Sequence, residues 1–152
     1  MKLAEALIER ANLQRRLDAL KVRMHANARV REGDMPAEDA VALLAEYERV
    51  AADLLAVIRR INATNARAEL DPGMTLVDAI VVRDMLRNRQ KAYADLADAA
   101  MGKPERYFQQ TEARYQRVVD VAALRKQADE LAREARELDT RLQGANWTIE
   151  LV

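Results

Sequence analysis

The stretch Asp120–Trp147, DVAALRKQADELAREARELDTRLQGANW, decides the fold. Within it Val121, Leu124, Ala128, Leu131, Ala135, Leu138, Leu142 and Ala145 recur at alternating steps of three and four. That spacing lays one narrow apolar seam down an α-helix and calls for a partner helix along its length. The alanines in the seam allow that partner to come close. Asp120 stands where a helix N-cap is wanted. On the opposite side Arg125, Asp129, Arg133, Glu137 and Arg141 alternate in sign four residues apart, each pair adding ~0.3 kcal/mol. Gly144 is expected to loosen the helix end, with Asn146-Trp147-Thr148 opening a short tail in which the only tryptophan packs as an anchor.

The same reading extends upstream. Residues 2 to about 31 give a first helix with Leu3, Ala6, Leu13, Leu17, Leu20 and Met24 on one seam, joined there by Arg10 and Asn27. Gly33 is the expected stop and Pro36 the expected first residue of a second helix, running to about 69. Its seam reads Leu44, Tyr47, Ala51, Leu54, Ile58, Ile61, Asn65 and Ala68, widened by Leu43, Val50, Leu55 and Val57. The short connection makes these two helices an antiparallel hairpin. Asp71-Pro72-Gly73-Met74 is a turn, and Thr75 caps a third helix over about 76 to 101, with Leu76, Ile80, Val82, Leu86, Tyr93, Leu96 and Ala100 as its apolar positions. Gly102 and Pro104 end it. From 104 to 119 helical spacing fails while Tyr107, Phe108, Tyr115, Val118 and Val119 favour strand, so this segment is expected to be irregular or a small β-hairpin. The expected fold is all-α: a single domain over 1–152, built as a long helical hairpin within a four-helix, coiled-coil-like bundle.

Composition agrees. The chain of 152 residues is 50% hydrophobic and 33% charged but only 4% aromatic, so its core is aliphatic. Its 25 basic and 25 acidic residues cancel, which leaves no basic excess for a nucleic acid. No run of about 18 apolar residues suits a membrane span. The N-terminal stretch, interrupted by Glu5, Glu9 and Arg10, does not read as a signal peptide. With no cysteine, these features point to the cytoplasm and away from the membrane.

Catalytic patterns are not visible. The only histidine, His25, lacks the glutamate three residues before it that carboxylate-bridged di-metal bundles use. The four glycines lie apart, and serine is absent, so phosphate cradles and serine nucleophiles have no candidates. No metal or cofactor is expected, and a threonine or carboxylate catalyst stays open. The unusual stretch is Arg59-Arg60-Ile61-Asn62-Ala63-Thr64-Asn65, rich in mediocre helix formers, followed later by Arg83-Asp84. Asn65 on the seam reads as a polar contact that fixes helix register. The alternative is a polar pocket for a small anion or ligand, formed by Asn62, Asn65, Arg83 and Asp84.

MKLAEALIERANLQRRL, RINATNA, DPGMTLVDAIVVRDML and ELDTRLQGANW together resemble a family of small bacterial helical proteins often labelled "septicolysin". The resemblance implies an all-α, long-hairpin fold and supplies no catalytic residues. Its label implies a membrane-active lysin. The residues themselves favour a non-enzymatic scaffold or interaction protein that forms homo-oligomers, with ligand binding or catalysis at a polar site between helices or subunits as the alternative.

Overall fold

The computed structural model describes residues 1–102 and 115–152. Among them four helices form: α1 (Leu3–Ala26), α2 (Ala40–Arg67), α3 (Leu76–Met101) and α4 (Val121–Thr148). Two short strands, β1 (Glu69–Asp71) and β2 (Met74–Thr75), pair antiparallel between α2 and α3. The fold is all-α, and the expected Asp-Pro-Gly-Met turn joins this small hairpin. Gly73 sits there at a φ of 79°, a conformation that glycine adopts without strain.

The chain divides into two compact units, Met1–Thr75 with Gln143–Val152, and Leu76–Leu142. The first is built on the α1–α2 hairpin. Leu17, Leu20, Leu43, Val50 and Leu54 form its buried cluster, with Leu13, Met24, Tyr47, Ala51 and Ile58 against it. The α1 seam is as expected, except that Arg10 is exposed. The helix nevertheless ends at Ala26, well before Gly33. Asn27 ends it by turning its side chain on the backbone: its Nδ2 donates to the Arg23 carbonyl at 2.9 Å, and its Oδ1 accepts from the Glu38 N–H at 2.9 Å. The second helix starts at Ala40 and not at Pro36, because Asp39 caps it, accepting from the N–H groups of Val41 and Ala42. Arg16 pairs with Glu46 at 2.6 Å, and Arg23 with Glu38, along the edge of the hairpin.

The α2 seam is inward as expected except at Leu44, and of the residues expected to widen it Leu43, Val50 and Val57 are buried while Leu55 is not. Leu43, Val50, Leu54, Val57, Ile61 and Thr64 are buried, Asn65 is half-buried, and Leu44 and Leu55 are exposed. Tyr47, Ala51, Leu54, Ile58 and Ile61 of the expected seam all face the core, and the deepest row lies on the Leu43, Val50 and Val57 side of it.

Residues Ile149–Val152 complete the first unit as an extended segment. Leu3 N–H donates to the Ile149 carbonyl at 3.0 Å, Leu151 N–H to the Met1 carbonyl at 2.9 Å, and Lys2 pairs with Glu150. Leu3 and Ala6 are fully buried.

In the second unit α3 and α4 run antiparallel. Leu86, Leu131 and Ala135 form the cluster between them, with Tyr93 and Leu138 packed against it. Arg83 meets Asp139 and Arg125 meets Asp98. The α4 seam falls inward at every expected position, buried or half-buried from Val121 to Ala145. The helix continues through Gly144 to Thr148, so Trp147 is helical and 59% exposed, not a buried anchor. The α3 seam differs from the expectation: Leu76, Ala79, Leu86 and Ala97 are buried, while Val82 and Leu96 are exposed. Arg83 and Gln90 complete this seam at helical spacing and are half-buried. Of the expected charge ladder, Arg133 and Glu137 pair at 2.9 Å, whereas Arg125 turns to α3. The segment expected to be irregular or β-hairpin, 104–119, lies mostly outside the described residues. Its described part, 115–119, carries neither helix nor strand.

Candidate functional site

Polar groups gather at one place in each unit. In the first, Thr64 is the buried polar residue, 1% exposed. Its hydroxyl donates to the Arg60 carbonyl at 2.9 Å, one turn back, and accepts from the Val152 N–H at 3.0 Å. Arg60 Nε donates to the Val152 carbonyl at 3.1 Å. The hydroxyl's one donor and one of its acceptor sites are thereby used within the fold, which makes this cluster a clasp for the extended segment. In the polar run noted in the sequence it is thus Thr64, and not Asn65, that makes the buried side-chain hydrogen bonds. Asn62 is exposed and Asn65 half-buried, both on α2.

In the second unit, the structure brings Arg83 and Asp84 together and adds two residues that the sequence did not single out. Arg83 Nη2 donates to Asp84 Oδ1 at 2.8 Å, and its Nη1 donates to Asp139 Oδ1 at 2.9 Å. Arg87 reaches the same Asp139 oxygen at 3.3 Å. The Arg83 side chain is 18% exposed, so the pair is shielded from water more than a surface ion pair is. Burial works against its charge, but the hydrogen bonds to Asp84 and Asp139 outweigh it and hold the guanidinium above its ordinary range.

Beside this network lies an open notch of about 350 Å³. Ala132 and Ala135 are its small side chains, and Arg87, Gln90, Arg136, Asp139 and Thr140 supply polar groups. Among the described residues Arg136 makes no ion pair. The arrangement offers several donors and one carboxylate around a short apolar floor. It has no nucleophile–base pair, and no group of three or more His, Asp or Glu among the described residues could hold a metal ion. His25 is exposed on α1.

A shallower groove of about 260 Å³ lies in the first unit, where Ala4, Leu7, Ile8 and Ala11 of α1 meet Gln143, Asn146 and Trp147. It was not foreseen, because the exposed tryptophan read as core. No described helix is long and apolar enough to cross a membrane.

No curated protein matches the chain. A conserved protein of unknown function from Corynebacterium diphtheriae, known from its crystal structure, is 41% identical. The match covers 100% of this chain and 99% of that one, with a TM-score of 0.93. Neither that protein nor the matching family model carries the septicolysin label; together they support the coarser expectation of a helical protein family without an assigned activity. The model of a family of unknown function, DUF6847, matches residues 10–151, and the chain belongs to that family.

Proposed function

We propose that the protein is a non-enzymatic interaction protein that works through helix packing and assembles with copies of itself. One observation supports this reading above the others: α1 carries a second apolar face, away from the α1–α2 seam. Ile8 is 53% and Val22 69% exposed there, and Ala11 and Ala19 are exposed between them. A partner helix laid along this face would take Ile8 and Val22 out of water together, with only small or charged side chains between them. Size-exclusion chromatography with light scattering tests it. The expected mass is a multiple of 17.2 kDa at micromolar protein; a mass of 17.2 kDa at every concentration overturns it.

A second reading is favoured by the notch on α3 and α4: capture of a small organic anion by Arg136, with Arg87, Gln90 and Thr140 adding hydrogen bonds. The Arg83–Asp84 pair flagged in the sequence would then position Asp139 at its rim. Asn62 and Asn65 have no part in it. A thermal-shift screen with phosphate and small carboxylates tests this, since an authentic ligand raises the melting temperature of the wild type and not of Arg136→Ala. The lytic activity implied by the septicolysin label is tested by liposome leakage at micromolar protein, where we expect no release.

A further inference from the structure

We infer that the uncovered face of α1 pairs antiparallel with the same face of a second copy, in the register that sets Arg15 against the partner's Asp18. This rests on the interaction reading above and names its partner and geometry.

The face is a second heptad-like seam. Ile8, Ala11, Arg15, Asp18, Val22 and His25 alternate at steps of three and four, and all are exposed. They lie on the side of α1 opposite Leu3, Ala6, Leu13, Leu17 and Leu20, which are turned into the first unit. Ala19 and Ala26 flank the seam with small side chains, so a second helix can approach closely. At its N-terminal end the seam runs into the groove walled by Ile8 and Trp147. Tryptophan set in an apolar recess is the residue type that most often anchors protein interfaces.

Charge selects the occupant. The two middle positions of this seam are one cation and one anion, a single turn apart. Neither is closely paired with an opposite charge in its own chain: Arg15 donates to the neutral side-chain oxygen of Asn12, while Asp18 accepts from Gln14 at 3.5 Å and has Lys21 at 4.0 Å. In an antiparallel pair Arg15 meets the partner's Asp18 and Asp18 meets the partner's Arg15. In a parallel pair each meets its own kind. A polar pair in an apolar seam fixes register and orientation in just this way. Setting Arg15 against the partner's Asp18 also sets Ala11 against the partner's Val22 and Ile8 against the partner's His25. The partner's Val22 then lies at the mouth of the Trp147 groove. Exposed apolar residues recur at helical spacing elsewhere too, at Val41, Leu44 and Leu55 on α2 and at Val77, Val81 and Met85 on α3; the α1 seam is distinguished by the Arg15 and Asp18 pair at its middle.

Because the chain has no cysteine, disulfide trapping reads the register directly. The test is the double variant Ala11→Cys with Val22→Cys under mild oxidation. Within one helix these positions are roughly 16 Å apart, too far to bridge, so a disulfide must join two chains. The inference expects a covalent dimer from the double variant and none from either single variant. It also expects Arg15→Glu to weaken the dimer at least tenfold by light scattering, Arg15→Glu with Asp18→Arg to restore it, and Val81→Glu to leave it unchanged. Circular dichroism confirms that each variant keeps its helices. Cross-linking by Ala11→Cys alone, or a dimer indifferent to Arg15→Glu, overturns this inference while leaving self-assembly standing. A monomeric wild type overturns both.

Discussion

The two hairpins solve one problem with different materials. The α1–α2 pair closes over leucine and valine, with its charges confined to the edge. The α3–α4 pair closes over fewer large side chains, with alanine at Ala79, Ala97, Ala128 and Ala135 and an ion pair at Arg83 and Asp139 within the contact. Apolar burial scales with area and is indifferent to direction. An ion pair adds little net stability but is intolerant of misplacement. The first hairpin thus draws more on volume, and the second more on alignment.

Substitutions sharpen that contrast. The largest effect is expected from Leu20→Ala, which opens a cavity in the leucine cluster and costs about 3 kcal/mol by urea unfolding. A loss under 1 kcal/mol would mean that the first hairpin is not held by packing. Thr64→Val comes next, at about 1 kcal/mol, because the part-buried Val152 N–H loses its acceptor and the extended segment loses its clasp. In the second hairpin Asp139→Ala is expected to cost about 1 kcal/mol, and Arg83→Met less than that. Removing the carboxylate leaves a shielded guanidinium with only Asp84, whereas methionine suits the seam. The reverse order would show that Arg83, and not its partner, carries the contact.

The smallest effect is one of pH. Hydrogen bonds from Arg23 and Arg16 hold the Glu38 and Glu46 carboxyls below the usual carboxylate range. Their contribution is therefore complete above the unfolded carboxylate range and lost as pH falls through the depressed folded values. Wild type and Glu46→Gln should differ slightly in melting temperature near neutrality and converge on acidification. A gap that widens in acid would contradict the assignment.

The same contrast governs what could be read from sequence. The α4 seam was legible because its inward positions are leucine, alanine and valine against a polar background. The α3 seam was not, since Arg83 and Gln90 occupy inward positions while Val82 and Leu96 point outward. Period alone cannot recognise a seam that includes a guanidinium. On α2 two overlapping apolar rows were available, and Thr64 rather than Asn65 became the polar contact once Val152 came to meet it. The site was half legible for the same reason. Arg83 and Asp84 are neighbours in the chain, but Asp139 joins them only through the pairing of α3 with α4.

The clasp of Ile149–Val152 also sets an order in time. The α1–α2 hairpin joins residues 15 to 30 positions apart, which a chain finds quickly. Lys2 and the Thr148 carbonyl are 146 apart, and Thr64 and Val152 are 88 apart. Closing such long loops costs more chain entropy, so the clasp is expected to form late in folding. Weakening it should hasten unfolding while leaving the folding rate nearly untouched.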